Sequence, residues 1–291
     1  MKKILISGGS GFIGSNLVNA LSKKYKLILL LRSKKNLKKI KYTFNQNISF
    51  KYFKNNNELN SKLKKIKALW LIHCATHYVK NHQTNDVSKI VNSNIEFGTI
   101  LLDNLNIMGI KNFINFSTVW ENYNGIKVNP NNLYSASKQA FAKMINYYQI
   151  INKKINFYNL IISDTFGERD KRKKLISVLK QNIINKKETK IVSKNLFVNL
   201  LNVDDIVFGV CSLLKNKIKP GKYNMVNKKN FKVIDLIEQI QKKGKFKVKI
   251  KWLSSKVIKE KIYNYKSLPK WNSRRSSIDD LTKFILKDYK T

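Results

Sequence analysis

The sequence has few prolines and cysteines and no long apolar run. Among 291 residues it has three prolines and two cysteines, Cys74 and Cys211. Isolated cysteines exclude a disulfide framework, and without a CxxC or Cys/His cluster no metal site is predicted. The longest purely aliphatic run, from Leu27 to Leu31, is far shorter than the roughly 20 residues that span a bilayer. A cytoplasmic protein without membrane contact is therefore expected.

Acidic residues are also scarce. The chain has 58 Lys and Arg against 17 Asp and Glu, a formal net charge of +41. A field of this size attracts polyanions. However, only five of the basic residues are Arg, and the lysines are spread along the whole chain together with 37 Asn. This distribution favours codon bias and solvated faces, so nucleic acid is not expected as a partner. An RNA-binding protein on an enzyme-like fold is the alternative from another functional class.

Apolar residues make up 43% of the chain, which is enough to build a buried core. Short apolar runs predict strands at 3–7, 26–31, 48–53, 68–74, 113–118 and 155–162. Helical spacing lies between them, at 12–24, 84–108 and 131–152. Apolar strands that alternate with helices indicate a parallel sheet covered on both faces. The predicted fold class is therefore α/β, a Rossmann-like doubly wound parallel sheet with a smaller C-terminal substrate-binding lobe.

The regular alternation of predicted strands and helices becomes less clear after residue 162. Helical patterns are predicted at 175–185, from a cap at Asp204 to residue 214, at 233–243 and at 276–286, with strands at 196–203, 222–226 and 246–250. We expect residues 1–162 to form a dinucleotide-binding domain, to which 196–215 return. Residues 163–195 and 216–291 are assigned to the lobe.

A glycine-rich turn follows the first predicted strand. Gly8, Gly11 and Gly14 have the GxxGxxG spacing of a dinucleotide-binding turn. In such a turn the backbone approaches a pyrophosphate, and the helix that follows offers N–H donors. The turn predicts cofactor contacts by the three glycines and by the residues between them, Ser10, Phe12 and Ile13.

The end of the second strand bears on the choice of cofactor. A cofactor with a free 2′-hydroxyl usually meets an acid there, but this chain has Arg32. Since an arginine fork matches a phosphate, NADP(H) is favoured and NAD(H) remains the alternative. In so basic a chain, Arg32 can also be read as a solvated side chain.

Tyr134 and Lys138 are spaced so that they share one helix face. A nearby ammonium lowers a phenol's pKa and so makes it usable as an acid or base. The pair follows Ser117 and Thr118 at the end of the fifth strand, where a hydroxyl can bind a substrate oxygen. Thr118 is the preferred candidate and Ser117 the substitute.

These motifs together resemble an extended short-chain dehydrogenase/reductase of the NAD-dependent epimerase/dehydratase family. The resemblance also covers Ile72-His73-Cys74-Ala75, Asn94, the loop from Asp164 to Gly167, the junction from Asn202 to Asp205, and Leu268-Pro269-Lys270-Trp271. It implies hydride transfer with Thr118, Tyr134 and Lys138 as catalytic residues, Lys138 also touching the cofactor. Further cofactor contacts are implied at Asn55, Cys74 and Ala75, and substrate contacts at Thr76, Thr118, Asp164, Arg172 and Lys174.

Within the family, the stretch around Tyr134 is most similar to CDP-abequose and CDP-paratose synthases. That resemblance implies NADPH-dependent reduction of a 4-keto-6-deoxy sugar nucleotide, with a product used for surface polysaccharide. Val119 and Trp120 stand where the family's dehydratases carry Asp-Glu, which argues against dehydration. The alternative within the family is an NAD-dependent sugar-nucleotide epimerase, against which Arg32 argues.

Other polar residues have a structural interpretation beside the functional one. His73 is interpreted as a buried, hydrogen-bonded histidine, and Asn94 as a positioning residue. Arg172 and Lys174 either clamp a diphosphate or form a solvated basic turn.

The resemblance also implies a homodimer through the two long helices. The apolar residues expected beyond the reach of the sheet are Ile90, Ile95, Ile100, Leu101, Phe141, Ile145 and Tyr148.

Overall fold

The chain forms one large parallel sheet and a set of short strands. The computed structural model describes residues 2–33 and 46–289. Its strands are β1 (Lys3–Ser7), β2 (Lys26–Leu31), β3 (Ile48–Tyr52), β4 (Trp70–His73), β5 (Asn112–Thr118), β6 (Asn156–Ile162), β7 (Asp164–Phe166), β8 (Thr189–Ile191), β9 (Leu196–Val198), β10 (Leu200–Asn202), β11 (Gly221–Met225), β12 (Phe231–Lys232), β13 (Ile250–Trp252) and β14 (Ile258–Lys259). Its helices are α1 (Phe12–Leu21), α2 (Asn56–Lys64), α3 (Thr84–Val91), α4 (Phe97–Asp103), α5 (Leu133–Ile151), α6 (Leu175–Ile184), α7 (Val203–Lys215), α8 (Val233–Gly244) and α9 (Ile278–Leu286).

The large sheet has the strand order β11-β6-β5-β4-β1-β2-β3, and its strands pair in parallel. The chain moves outward on one side of β1 and then returns to its other side at β4. Such a reversal opens a crevice at the carboxyl ends of the two central strands, where ligands of doubly wound sheets bind. The predicted fold class is confirmed.

Helices cover both faces of this sheet, which explains why its strands are almost continuously apolar. One face packs on α1 and α7 through side chains such as Leu17 and Ile206. The other face packs on α2, α4 and α5 through side chains such as Leu59, Leu101 and Phe141. The sheet is therefore a rigid central layer whose carboxyl edge carries the polar residues.

The lobe has a separate core formed by α6, α8 and α9, with Leu179, Ile240 and Leu281 fully buried in it. Short sheets complete the lobe: β12-β9-β14, β13-β8 and β10-β7.

Two parts of the chain depart from the expected assignment. Strand β11 joins the large sheet although 216–291 was assigned to the lobe, and β9 joins the lobe although 196–215 was expected to return. Apolar patterning identifies such strands but not the partner they pair with.

Some local boundaries also differ from the sequence prediction. Asn202 caps α7 by accepting a hydrogen bond from the backbone N–H of Asp204, so the predicted cap at Asp204 is wrong. The helix predicted over 84–108 contains a π-helical segment, Asn92–Glu96, between α3 and α4. Single π turns are frequent at functional sites. Within the described ranges, no helix combines the length and apolarity that crossing a membrane requires.

The predicted dimer residues are largely core residues. Ile90, Leu101, Phe141 and Ile145 are buried within this chain, because the helices turn these side chains toward the sheet. The apolar residues that α3 and α5 leave exposed are Val87, Val91, Met144, Tyr147, Ile150 and Ile151. We call this set the exposed helix face.

Asp205 holds the segment that leads to the last helix. It is 2% exposed. Its carboxylate accepts hydrogen bonds from the backbone N–H groups of Arg274 and Arg275 at 2.9 and 3.0 Å and from the Ser276 hydroxyl at 2.6 Å. The first turn of α7 is thereby joined to the tail that closes the lobe.

We expect Asp205→Ala to destabilise the fold strongly. It removes the acceptor of three donors, one of which is the buried Ser276 hydroxyl. Hydrogen bonds to a charged group contribute about 1.5–3 kcal/mol each, so a loss of roughly 3 kcal/mol or more is expected. Urea unfolding measures it. The control is Asp204→Ala, because the ion pair of Asp204 with Arg275 is exposed and such pairs contribute about 1 kcal/mol at most. Equal losses in the two variants would contradict this role.

Candidate active site

The glycine turn brings backbone very close to the end of β4. Gly8 has a φ of +71°, and a Cβ there would lie 2.4 Å from the backbone nitrogen of Ala75. A Cβ on Gly14 would lie 2.2 Å from the carbonyl oxygen of Gly8. Helix α1 begins directly after this turn, and its N-cap, Gly11, has no side chain to bond the first N–H groups. The turn therefore forms a cradle that fits a phosphate.

A cavity of about 1000 Å³ runs from this cradle along the carboxyl edge of the sheet. All but one of the site residues predicted from the sequence line it: Gly8, Ser10, Gly11, Phe12, Ile13, Gly14, Arg32, Cys74, Ala75, Thr76, Thr118, Tyr134, Lys138, Asp164, Arg172 and Lys174. Residues from six separate stretches of the chain therefore meet at one site.

Asn55 is the exception. It is exposed and is not among the residues that line the cavity. Its side chain caps α2 by accepting a hydrogen bond from the backbone N–H of Glu58 at 2.9 Å. The structure thus gives the Asn55 side chain a helix-capping role, and the implied cofactor contact stays a prediction.

Arg32 lies at the far end of the cavity, next to an aromatic pair. Its guanidinium carbon is 5.7 Å from the centre of the Phe97 ring, and Phe53 stacks on Phe97 at 5.5 Å. The Arg32 side chain is exposed. This end of the cavity thus presents a flat apolar surface beside a cation.

Helix α5 fixes Tyr134 and Lys138. Asn132 caps the helix by accepting a hydrogen bond from the backbone N–H of Ser135 at 2.9 Å, so Tyr134 stands in the first turn. Lys138 is 3% exposed, and its ammonium lies 5.9 Å from the centre of the Phe141 ring. Burial lowers the pKa of Lys138 to about 8. The ammonium thus lies at the cavity and loses its proton more readily than the ammonium of an exposed lysine.

The Tyr134 phenol differs from the prediction. Burial raises its pKa above the ordinary value; Arg172 acts in the opposite direction, and Glu121, Tyr78 and Asp164 raise it further. The predicted net lowering of this pKa is wrong for the free protein, because desolvation outweighs the opposing cation, Arg172. The phenol is therefore protonated at neutral pH, as a proton donor must be.

Two hydroxyl groups at the end of β5, those of Ser117 and Thr118, belong to residues that line the cavity together with Tyr134. The Thr118 hydroxyl accepts a hydrogen bond from the backbone N–H of Trp120 at 3.3 Å and lines the cavity. The Ser117 hydroxyl is buried and has no hydrogen-bond partner among the described residues. Either one can donate to a carbonyl oxygen in the cavity.

His73 and Asn94 are buried polar residues next to the cavity, and both bind neighbouring groups by hydrogen bonds. His73 is fully buried, its Nδ1 lies 2.7 Å from the Ser7 hydroxyl, and burial lowers its pKa to about 3. The imidazole is therefore neutral, and its structural interpretation is confirmed. The buried Asn94 side chain accepts hydrogen bonds from the Thr76 hydroxyl and the His77 N–H and donates one to Ser137. It fixes the loop after β4 against α5.

Two basic residues that line the cavity, Lys174 and Arg172, are paired with carboxylates. The Lys174 ammonium lies 2.6 Å from the Asp164 carboxylate, 4.9 Å from the Tyr78 ring centre and 5.5 Å from that of Trp120. Arg172 is bonded to Asp170 at 2.7 Å. These contacts fix the direction of both cations and partly neutralise them.

Several cavity residues were missed by the sequence analysis. Tyr78 meets Tyr134 edge to face, with ring centres 5.0 Å apart. Phe53, Phe97, Ser163 and Arg169 also line the cavity. Their sequence positions follow no motif; only the ends of neighbouring strands, where Phe53 and Ser163 lie, indicated such a role.

Known proteins resemble this chain along most of its length. The model of the NAD dependent epimerase/dehydratase family matches residues 4–226. CDP-abequose synthases are 24% identical over 74% of both chains in Yersinia pseudotuberculosis, and 26% identical over 77% of this chain and 74% of the relative in Salmonella muenchen. A Bacillus cereus UDP-glucuronic acid 4-epimerase, solved as a point mutant with UDP-4-deoxy-4-fluoro-glucuronic acid and NAD, has a TM-score of 0.80 at 20% identity, covering 98% of both chains. The chain belongs to the NAD-dependent epimerase/dehydratase family of enzymes.

Proposed function

We propose that this enzyme reduces a 4-keto-6-deoxy sugar nucleotide with NADPH. The observation that carries the proposal is that Thr118, Tyr134 and Lys138 lie together in the cavity that begins at the glycine cradle. A donor phenol, a second hydroxyl and a cation are what a forming alkoxide needs. The similarity to CDP-abequose synthases supports the choice of substrate class.

We infer that a dinucleotide would occupy this cavity. The cradle of Gly8, Gly11 and Gly14 would hold its diphosphate, and the surface formed by Phe53 and Phe97 would hold its adenine. When bound, the nicotinamide cofactor supplies the hydride. Lys138 would hold the nicotinamide ribose at the opposite end. Each of these residues lines the same cavity, so one extended ligand can reach them all.

The chemistry of this chain's own residues is proton donation and orientation. The Tyr134 phenol gives its proton to the oxygen of the reduced carbonyl. Thr118 donates a hydrogen bond to the same oxygen and holds it in place. Lys138 supplies the positive charge that favours the alkoxide and the phenolate that remains. The paired cations Arg172 and Lys174 also line the cavity, and we infer that they would contact the phosphates of the sugar nucleotide.

A sugar-nucleotide 4-epimerase is the second candidate. It is favoured by the likeness to a UDP-glucuronic acid 4-epimerase that was solved with NAD. The two candidates are separated by cofactor: NAD that stays bound through purification favours the epimerase. Oxidation of NADPH against a panel of 4-keto-6-deoxy sugar nucleotides tests the reductase, and no oxidation with any of them would refute it.

We expect Tyr134→Phe to abolish most turnover. The variant keeps the ring and its contact with Tyr78 but loses the proton that reaches the alkoxide, and general acid catalysis contributes roughly a hundred- to ten-thousand-fold. The loss should appear in kcat, with little change in NADPH binding by the free protein. The control is Tyr147→Phe, the same change on the exposed side of α5. Reduction at nearly the wild-type rate would exclude Tyr134 as the acid.

We expect Arg32→Asp to shift cofactor preference toward NADH. Loss of a charge-assisted phosphate contact of about 1.5–3 kcal/mol corresponds to roughly tenfold or more in NADPH affinity. Dissociation constants for both cofactors measure the shift. Arg274→Asp makes the same change at a residue outside the cavity lining, where its guanidinium lies over Phe208, and should not alter the ratio. A wild-type preference for NADH would overturn our interpretation of Arg32.

We also propose that the protein is a homodimer, formed through the exposed helix face. Helices α3 and α5 pack beside each other, so their exposed apolar residues can form one surface. Sedimentation at micromolar concentration should give a dimer, and Ile150→Glu should give a monomer because it buries a charge in the interface. Val257→Glu, at an equally exposed apolar residue in the lobe, should leave the dimer intact. A monomeric wild type would contradict the proposal.

A further inference from the structure

Arginine is concentrated at the cavity, although the chain makes little use of it. The sequence has five arginines against 53 lysines. Among the residues that the structure describes, the cavity is lined by three arginines, Arg32, Arg169 and Arg172, and by three lysines. The much commoner lysine would supply charge alone equally well. The arginines of the cavity therefore point to a need for the planar guanidinium fork, which an ammonium lacks.

A carboxylate fixes the fork of Arg172. Arg172 lies in the segment 167–174, which connects β7 to α6. Its Nε and Nη2 donate hydrogen bonds to the two oxygens of the Asp170 carboxylate at 2.7 and 2.8 Å, and its backbone N–H donates to the same group at 3.1 Å. Such a bidentate pair is among the strongest that an arginine forms. The Asp170 side chain is 6% exposed, so a carboxylate in the protein interior orients this guanidinium.

Two further groups hold the guanidinium in place. Nη2 also donates to Thr165, whose carbonyl and hydroxyl oxygens lie at 3.0 and 2.8 Å, and Thr165 is a buried residue of β7. The guanidinium carbon lies 4.5 Å from the centre of the Phe12 ring, which is a cation–π distance. Phe12 is the first residue of α1 and directly follows the glycine cradle. Arg172 is therefore held both by β7 and by the helix of the cradle.

The segment 167–174 is tied to α1 at a second place. The Asn16 side-chain amide donates a hydrogen bond to the Glu168 carbonyl oxygen at 3.2 Å, and the Arg169 guanidinium donates one to the Asn16 side-chain oxygen at 3.2 Å. Arg169 has a φ of +70°, which is uncommon for a residue with a side chain. The position of Arg172 relative to the cradle is thus fixed by several separate contacts.

The pair has a ligand side and a protein side. The hydrogen bonds to Asp170 and Thr165 use two of the three guanidinium nitrogens of Arg172, and the third, Nη1, carries two more N–H donors. The Arg172 side chain is 28% exposed and lines the cavity. Asp170 is not one of the cavity-lining residues. The carboxylate can therefore act on a ligand only through the arginine.

A purely structural tie is the competing explanation. A tie between the segment 167–174 and α1 would need neither a place in the cavity lining nor a guanidinium held over the first residue after a phosphate cradle. An arginine that binds phosphate benefits from both. When its long side chain is ordered in advance, part of the cost of binding is already met.

We infer that Asp170 is a positioning residue that holds Arg172 ready to bind a diphosphate in the cavity. The Nη1 donors of the fixed guanidinium would contact a phosphate oxygen. The inference deepens the proposed function, in which Arg172 contacts the phosphates of the sugar nucleotide. Both the sugar nucleotide and the dinucleotide carry a diphosphate, and separate titrations distinguish these two sources.

The test is the affinity of the free protein for CDP, NADP⁺ and inorganic pyrophosphate, each titrated calorimetrically at about 0.15 M salt, where exposed charges are screened. Asp170→Asn keeps the shape of the side chain but removes the charge that orients Arg172. We expect CDP to bind roughly two- to tenfold more weakly, because the arginine must then be ordered when the ligand binds. Weaker binding of NADP⁺ in place of CDP would support the inference and assign the diphosphate to the cofactor.

The sign of the effect separates positioning from charge. If Asp170 merely neutralised Arg172, its removal would leave a stronger cation and tighten the binding of every anion. A positioning role predicts weaker binding although a negative charge is lost. Equal or tighter binding of all three probes by Asp170→Asn would therefore overturn the inference.

A matched control measures the loss of one charge by itself. Asp204→Asn makes the same change at an aspartate that pairs with Arg275 at 2.9 Å on the surface, and it should not weaken the binding of any probe. Arg172→Lys is the second variant, should Asp170→Asn not fold. It keeps the charge but not the fork, so CDP should again bind more weakly. A lower melting temperature with unchanged affinities in these cavity variants would mean a purely structural tie and would contradict the inference.

Turnover separates this inference from the proposed function. With a 4-keto-6-deoxy sugar nucleotide as substrate, Asp170→Asn should raise KM more than it lowers kcat, since the contact with the phosphates is made before and during the reaction alike. A lower kcat at unchanged KM would count against a role in binding. If no sugar nucleotide is reduced by the wild type, the proposed function fails, and the titrations with NADP⁺ and pyrophosphate still decide the inference.

Discussion

The site depends on one close approach of backbone to backbone. At Gly8 and Gly14 there is no room for a Cβ, since the end of β4 and the turn itself occupy that space. This contact lets α1 begin against the carboxyl edge of the sheet, beside the crevice between β1 and β4. Because the sheet's strands run in parallel, the polar ends of β1, β4, β5 and β6 all reach that crevice. A side chain at either glycine would force the turn away from the end of β4 or distort the turn itself.

Burial sets the charges in this crevice. It raises the pKa of the Tyr134 phenol, lowers that of Lys138 to about 8 and lowers that of His73 to about 3. The same desolvation therefore keeps the Tyr134 phenol protonated, makes the Lys138 ammonium lose its proton more readily and keeps the His73 imidazole neutral. These directions are the ordinary ones for buried groups. A bound ligand that excludes more water would strengthen every one of these effects.

The parts of this fold that can be predicted from the sequence are those fixed by local pattern. The strands from β1 to β6 and the glycine turn follow from apolar runs closed by turn residues, and the Tyr134–Lys138 pair follows from helical spacing. The partner of β11, the cap at Asn202 and the position of Tyr78 depend on which distant segments meet, and no local pattern encodes that. The pKa of Tyr134 was mispredicted for the same reason: spacing shows a neighbouring cation but not the depth of burial.

Because the chain has a large excess of positive charge, the carboxylates near a cation have a strong influence on whether that cation keeps its proton. A chain with a net charge of +41 resists one more cation at every position, but salt screens exposed charges beyond about 8–10 Å. Inside the protein the screening is much weaker, so the charge of Lys138 is decided by its immediate surroundings. There, desolvation disfavours the ammonium and Glu121 favours it. Two other cations that line the cavity are paired with carboxylates, Lys174 with Asp164 and Arg172 with Asp170. In this strongly basic chain, some of the few carboxylates are thus placed beside cations of the cavity.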